Sequence, residues 1–165
     1  MNKKKDGKIR RTDSFPMQIS ILNKQRKYPI KKEKLLQWTR RVLLFQKMDK
    51  AEMGLVFVNN RQIRIYNRDY REKDQATDVL AFPMLEGVGA DLHPMFMGDV
   101  MISLEMVEKE ACFYRRKMED QLLILLIHGI LHLLGYDHER SDGEAVKMQR
   151  RERFLFKRLK DSSKG

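Results

Sequence analysis

Three of the four histidines fall within one short run, His128-Gly129-Ile130-Leu131-His132-Leu133-Leu134-Gly135-Tyr136-Asp137-His138. Residues four apart on a helix stand one turn above each other, so His128 and His132 can aim two imidazoles at one point. Gly135 can end that helix and take positive φ without a Cβ penalty, and a chain that turns back there can supply His138 as a third nitrogen. Three neutral imidazoles at about 2.0–2.1 Å from a zinc ion leave one tetrahedral position open for water, the pattern of a catalytic site rather than a closed structural one. The competing reading is a set of core histidines satisfied by hydrogen bonds. Several imidazoles in and beside a leucine-rich helix would then each need a buried partner, and one shared cation meets that need more economically.

The spacing His-x-x-x-His-x-x-Gly-x-x-His is shared with zinc peptidases, which carry glutamate directly after the first histidine. This chain has Gly129 there. Glycine can neither deprotonate a water nor carry its proton to a leaving amine, so peptide cleavage is disfavoured. A phosphodiester leaving oxygen, stabilised by metal and arginine, depends less on such a base.

The elements needed to position these groups can be read from the chain. Met17–Leu22, Met53–Val58, Asp78–Phe82 and Gly98–Ser103 have strand character. Helical spacing runs from Lys31 to Gln46, from about Asn60 to Tyr70, from Leu104 to about Lys117 and from Gly143 to Lys160. In the third of these, Met106, Val107, Ala111 and Tyr114 are inward candidates, and Cys112 is expected to be a buried thiol. In the last, Val146, Phe154, Leu155 and Leu159 form the apolar side against a basic face. The segment from about Glu119 to Leu134 is apolar on nearly every side, which predicts a central buried helix carrying the metal ligands, stopped by Gly135. Together these predict an α+β fold: one compact domain over residues 15–160, a small mixed sheet of about four strands packed against several helices. Residues 1–14 read as a basic flexible arm, 161–165 as a tail and His93 as a loop residue.

Composition narrows the partners. Lys and Arg number 34 against 23 Asp and Glu, a net charge of +11, which favours polyanions, nucleic acid before an anionic membrane. One cysteine excludes an internal disulfide and a multi-cysteine zinc site. The longest apolar stretch, Leu122 to Leu134, is too short and too polar to span a bilayer, and no apolar run follows Met1-Asn2-Lys3-Lys4-Lys5. A cytoplasmic location without membrane insertion is the expectation.

Against these residues the chain resembles the YbeY family of bacterial single-strand-specific endoribonucleases, or rRNA maturation factors. The hallmark His-Gly-x-Leu-His-Leu-x-Gly-Tyr-Asp-His is matched at every fixed position from His128 to His138. A second family stretch is present as Tyr70, Arg71, Asp74, Thr77, Asp78, Val79, Leu80, Phe82 and Pro83, with Ala81 where the family usually has serine and Ala76 where it often has proline. Gly98-Asp99-Val100 is similar to the family's Gly-Asp-Ile strand. The resemblance implies a compact α+β fold, a zinc ion held by the three histidines, and an arginine essential for cleavage, which by motif position is Arg71. It also implies precursor rRNA of the small ribosomal subunit as substrate, in maturation of the 16S rRNA 3′ end. A guanidinium can make two parallel bonds to phosphate and stabilise charge building there; alternatively Arg71 pairs with Asp69, Glu72 or Asp74 on a charged surface. Asp137 could orient a ligand imidazole or cap the Gly135 turn, and Tyr114–Lys117 and the run Arg150, Arg151, Arg153, Lys157, Arg158 could line an RNA path or simply be solvated. Two other functions remain open: a non-catalytic ribosome-assembly factor with a structural zinc, and a zinc peptidase.

Overall fold

Period-two alternation sets the middle of the molecule. In β2 (Glu52–Val58), Leu55 and Phe57 join one apolar cluster while Val56 and Val58 join another; in β4 (Phe96–Ser103), Val100 and Ile102 oppose Met101 in the same way. The computed structural model describes residues 16–84 and 95–164. The arm 1–14 and His93 lie outside them. β2 and β4 pair in parallel, β1 (Gln18–Asn23) adds in parallel to β2, and β3 (Val79–Pro83) runs antiparallel along β4. The order β1-β2-β4-β3 makes a four-stranded mixed sheet, the α+β architecture expected from the sequence.

Among the described residues, five helices cover this sheet: α1 (Lys32–Phe45), α2 (Asn60–Arg71), α3 (Leu104–Phe113), α4 (Met118–Leu133) and α5 (Asp142–Asp161), with a 3-10 turn at Ser162–Lys164. α4 is the central one. Leu126, Ile127, Ile130 and Leu131 lose essentially all solvent contact, each burial contributing about 2 kcal/mol before chain entropy is counted. α4 lies so close to the sheet that a Cβ on Gly129 would stand 2.5 Å from Val100 Cγ1 and 3.2 Å from Val79 Cγ2. On the other face of the sheet, α2 packs Ile63 with Val58, Leu80 and Met101. Among the described residues, no helix is long and apolar enough to cross a membrane.

Four expectations fail here. α3 stops at Phe113 rather than near Lys117, because Arg115 adopts a left-handed φ of 54° and the Arg116 N–H turns back to the Ala111 carbonyl. This is the usual glycine-type helix ending made without glycine, so nothing in the residue types marks it. The early stop leaves Tyr114, an inward candidate, exposed at the end of the helix. Cys112 is also exposed rather than a buried thiol, since the inward stripe of α3 runs through Leu104, Val107 and Ala111. In α5 the buried stripe is Met148, Leu155 and Leu159, while Val146 and Phe154 face solvent.

Asp99 on β4 pairs across the ladder with Gly54 on β2, and a Cβ at Gly54 would lie 2.0 Å from Asp99 Oδ1. Glycine is needed there to make room for the carboxylate. Burial pushes the Asp99 carboxyl above its ordinary range. The native state therefore holds this proton more tightly than the unfolded chain, and stability falls as pH rises from the ordinary carboxylate range through the native value. Asp99→Asn is expected to raise the urea midpoint at neutral pH. That advantage should shrink on acidification; an advantage independent of pH would show that charge is not its cause.

Candidate metal centre

His128 and His132 occupy successive turns of α4 near its C-terminus, and their rings lie 4.5 Å apart, centroid to centroid. The helix then ends in a Schellman motif: Tyr136 N–H donates to the Leu131 carbonyl and Gly135 N–H to that of His132, with Gly135 at φ 89°. This turn carries the His138 ring back to 5.3 Å from His128 and 5.2 Å from His132. One ring nitrogen from each residue lies within 4.8 Å of the other two. His128 Nε2 and His132 Nε2 are 2.9 Å apart. Tetrahedral zinc–imidazole bonds place nitrogens about 3.3 Å from one another, a spacing that small side-chain rotations reach from here.

The donor chemistry fits a divalent cation. His128 Nδ1 is 2.5 Å from Glu152 Oε1 on α5, so that nitrogen carries the hydrogen and the Nε2 lone pair faces the other two rings. Burial, reinforced by His128 and His138, pushes His132 below the ordinary imidazole range and so favours the neutral ligand form. Asp137 does not orient a ligand ring. Its Oδ1 accepts the Glu139 N–H at 2.9 Å and its Oδ2 lies 3.4 Å from Arg140 Nε, so it braces the turn that bears His138. Glu152 is the residue that sequence reasoning missed. Its only signal is position: a lone acid on the Met148, Leu155, Leu159 stripe of a basic helix. Replacing Glu152 with alanine is expected to weaken zinc binding about 10–100-fold, measured by competition with a chromophoric chelator. Unchanged affinity would reduce the pair to an ordinary ion contact.

A cavity of about 650 Å³ opens over the three rings, with Thr77–Ala81 and Pro83 as one wall and Arg71 and Glu139 also lining it. Arg71 ends α2, and several contacts fix this helix and the loop after it. At its other end Asn59 caps the helix reciprocally with Gln62. Tyr70 stands edge-on to Phe82 of β3 at 5.1 Å and stacks with Tyr66 at 6.3 Å. Arg64 grips Asp74 through two bonds of 2.8 and 3.0 Å, and buried Asn67 donates to the Gln75 carbonyl at 2.8 Å, tethering the following loop. Asp74 is therefore taken by Arg64 and Asp69 by Arg68, while among the described residues Arg71 has Glu139 as its one ionic partner, at 3.8 Å. A guanidinium so loosely held is free to take a phosphate.

Behind the wall, burial and then the neighbouring Asp78 carboxylate push the Glu110 carboxyl up, and Gln121 donates to it at 2.8 Å. Gly129 faces Val100 and Val79, with no space for a glutamate side chain in the present packing. The peptidase base is thus missing in chemistry and in room.

A family model described as Endoribonuclease YbeY matches residues 20–160. A relative of that name from Syntrophotalea carbinolica is 40% identical over 144 residues, covering 87% of this chain and 96% of its own. Another of that name, from Aquifex aeolicus, is 34% identical over 139 residues, covering 84% and 91%. The solution structure of a protein from Thermotoga maritima superposes with a TM-score of 0.62 at 26% identity, over 88% of this chain and 91% of that one. With most residues of the two longer motifs lining one cavity and the match running through nearly the whole fold, this chain belongs to the YbeY endoribonuclease family.

Proposed function

We propose that this protein is a metal-dependent endoribonuclease that hydrolyses single-stranded RNA, with His128, His132 and His138 holding one zinc ion and Arg71 binding the scissile phosphate. We further assign it to the cytoplasm, with precursor rRNA of the small ribosomal subunit as substrate and maturation of the 16S rRNA 3′ end as its task. The observation that carries the reading is the convergence of three imidazole nitrogens within 4.8 Å beneath a cavity also lined by Arg71.

Hydrolysis forms a bond from water oxygen to phosphorus, breaks one phosphorus–ribose oxygen bond and leaves a proton on the departing oxygen. Zinc, when bound, supplies Lewis acidity toward water or a phosphoryl oxygen. The protein's part is positional and electrostatic. Glu152 fixes the tautomer of His128, and the Gly135 turn sets the direction of His138. Arg71 exchanges Glu139 for a phosphate, to which it can offer two parallel N–H donors that strengthen as negative charge builds. An exposed contact such as that with Glu139 is worth little, so the exchange costs little.

The test measures metal content of the purified protein together with cleavage of one RNA, single-stranded and annealed to its complement. We expect about one zinc per chain and cleavage of the single strand only. That cleavage should vanish with chelator and return with added zinc. Chelator-insensitive cleavage, or chelator-sensitive cleavage of unstructured peptides instead of RNA, would refute the assignment.

A further inference from the structure

α5 presents Val146, Lys147, Arg150, Arg151 and Phe154 along one side, at helical intervals, and with Tyr136 they line a groove of about 350 Å³. Tyr136 also lines the cavity over the histidines, so groove and cavity meet at that ring. Cations lie over the aromatic faces: Lys147 Nζ is 5.7 Å from the Tyr136 centroid, and the Arg151 guanidinium is 4.9 Å from that of Phe154. Arg158 extends the series, 5.9 Å from Phe154 and 5.6 Å from Phe45. Among the described residues, none of Lys147, Arg150, Arg151 and Arg158 forms a salt bridge to a carboxylate. Among the described residues, Arg151 bonds neutral groups alone, Gln46 Oε1 and the Phe45 carbonyl. Apolar Val146 and Phe154 remain exposed among these charges.

We propose that this groove carries the stretch of single-stranded RNA leaving the cavity beside the scissile phosphate, its bases stacking on Phe154 and Tyr136 and its phosphates meeting Lys147, Arg150 and Arg151. The proposal rests on the ribonuclease reading of the metal centre. A positive groove interleaved with exposed aromatic rings is what single strands use, since every base has a face to stack and every linkage a charge. A strand with one phosphate at Arg71 must continue beyond the cavity, and Tyr136 opens onto this cationic channel. A flat anionic membrane would be met by a convex basic face rather than a recess. Arg153 and Lys157 do not line the groove, which makes them a matched charge control.

The experiment compares Lys147→Glu/Arg150→Glu with Arg153→Glu/Lys157→Glu, which changes net charge equally, and with Phe154→Ala. Circular dichroism and zinc content are checked for each. On a long single-stranded RNA, the groove pair should raise KM at least about tenfold with kcat nearly unchanged, and the dependence of log affinity on log salt should flatten by about 1.4, two phosphates at about 0.7 each. Phe154→Ala should raise KM about tenfold, one lost stack, with the salt slope unaltered. The control pair should change KM far less. Equal effects from both charge pairs, or no effect of Phe154→Ala, would overturn the groove. So would a groove pair that lost binding to phosphatidylglycerol vesicles or polyglutamate while cleaving RNA normally. Wild-type protein that cleaves no single-stranded RNA would defeat the ribonuclease reading itself, and the groove with it.

Discussion

Exchange of His132 for alanine is expected to leave a folded protein that retains no zinc and cleaves single-stranded RNA at least about a thousandfold more slowly. His132 sits mid-site, within a ring-to-ring distance of 4.5 Å of His128 and 5.2 Å of His138, so its removal leaves two nitrogens where a tripod needs three. The rate loss follows from losing a Lewis acid worth several kcal/mol in the transition state, each 1.4 kcal/mol being about tenfold. The fold should survive, because burial already disfavours the charged imidazole and no packing of α4 depends on that ring as it does on Ile127, Ile130 and Leu131. Metal analysis by mass spectrometry, circular dichroism and a cleavage gel on the same preparation decide the matter. A variant that keeps stoichiometric zinc would remove His132 from the ligand set.

Arg71→Glu should behave in the opposite way toward metal: full zinc, with cleavage lowered about 10²–10³-fold, the usual loss when one preorganised donor to a developing anion is removed. The effect should fall on kcat more than on KM, since the strongest contact forms as charge builds. Arg71→Lys should recover only part of the rate, because an ammonium offers a point charge in place of a planar fork. The guanidinium side chain is 41% exposed and its one ionic neighbour among the described residues is a 3.8 Å contact, so stability should barely change in either variant. Unaltered cleavage by Arg71→Glu would leave phosphate binding to another group. Loss of zinc in that variant would mean that the arginine supports the site rather than the reaction.

The centre of this molecule was legible because its signals are redundant. α4 is apolar on nearly every side, its two histidines share a face, and a glycine ends it; each cue points to the same buried helix and to a chain reversal that brings in His138. The strands were legible for a similar reason, since alternation in β2 and β4 sorts the residues between two apolar clusters. What escaped was conformation or contact without a residue-type mark. The end of α3 depends on Arg115 taking a left-handed φ, which arginine does not advertise, and the exposure of Tyr114 followed from that end. Glu152 meets His128 only because α5 docks against α4, a contact between positions 24 apart that no local spacing encodes. Val146 and Phe154 misled because large apolar side chains usually seek the core; here they line a surface groove.

The bond between His128 and Glu152 also bears on the order in which a newborn chain becomes dangerous to RNA. A polypeptide whose synthesis has just passed His138 owns all three imidazoles, yet lacks the carboxylate that fixes the tautomer of the first and the Met148, Leu155, Leu159 wall that packs behind it. Completion of the centre waits for α5 to emerge and dock. Translation therefore supplies that carboxylate after the ligands it serves, and the cutting apparatus is finished only when α5 packs against α4.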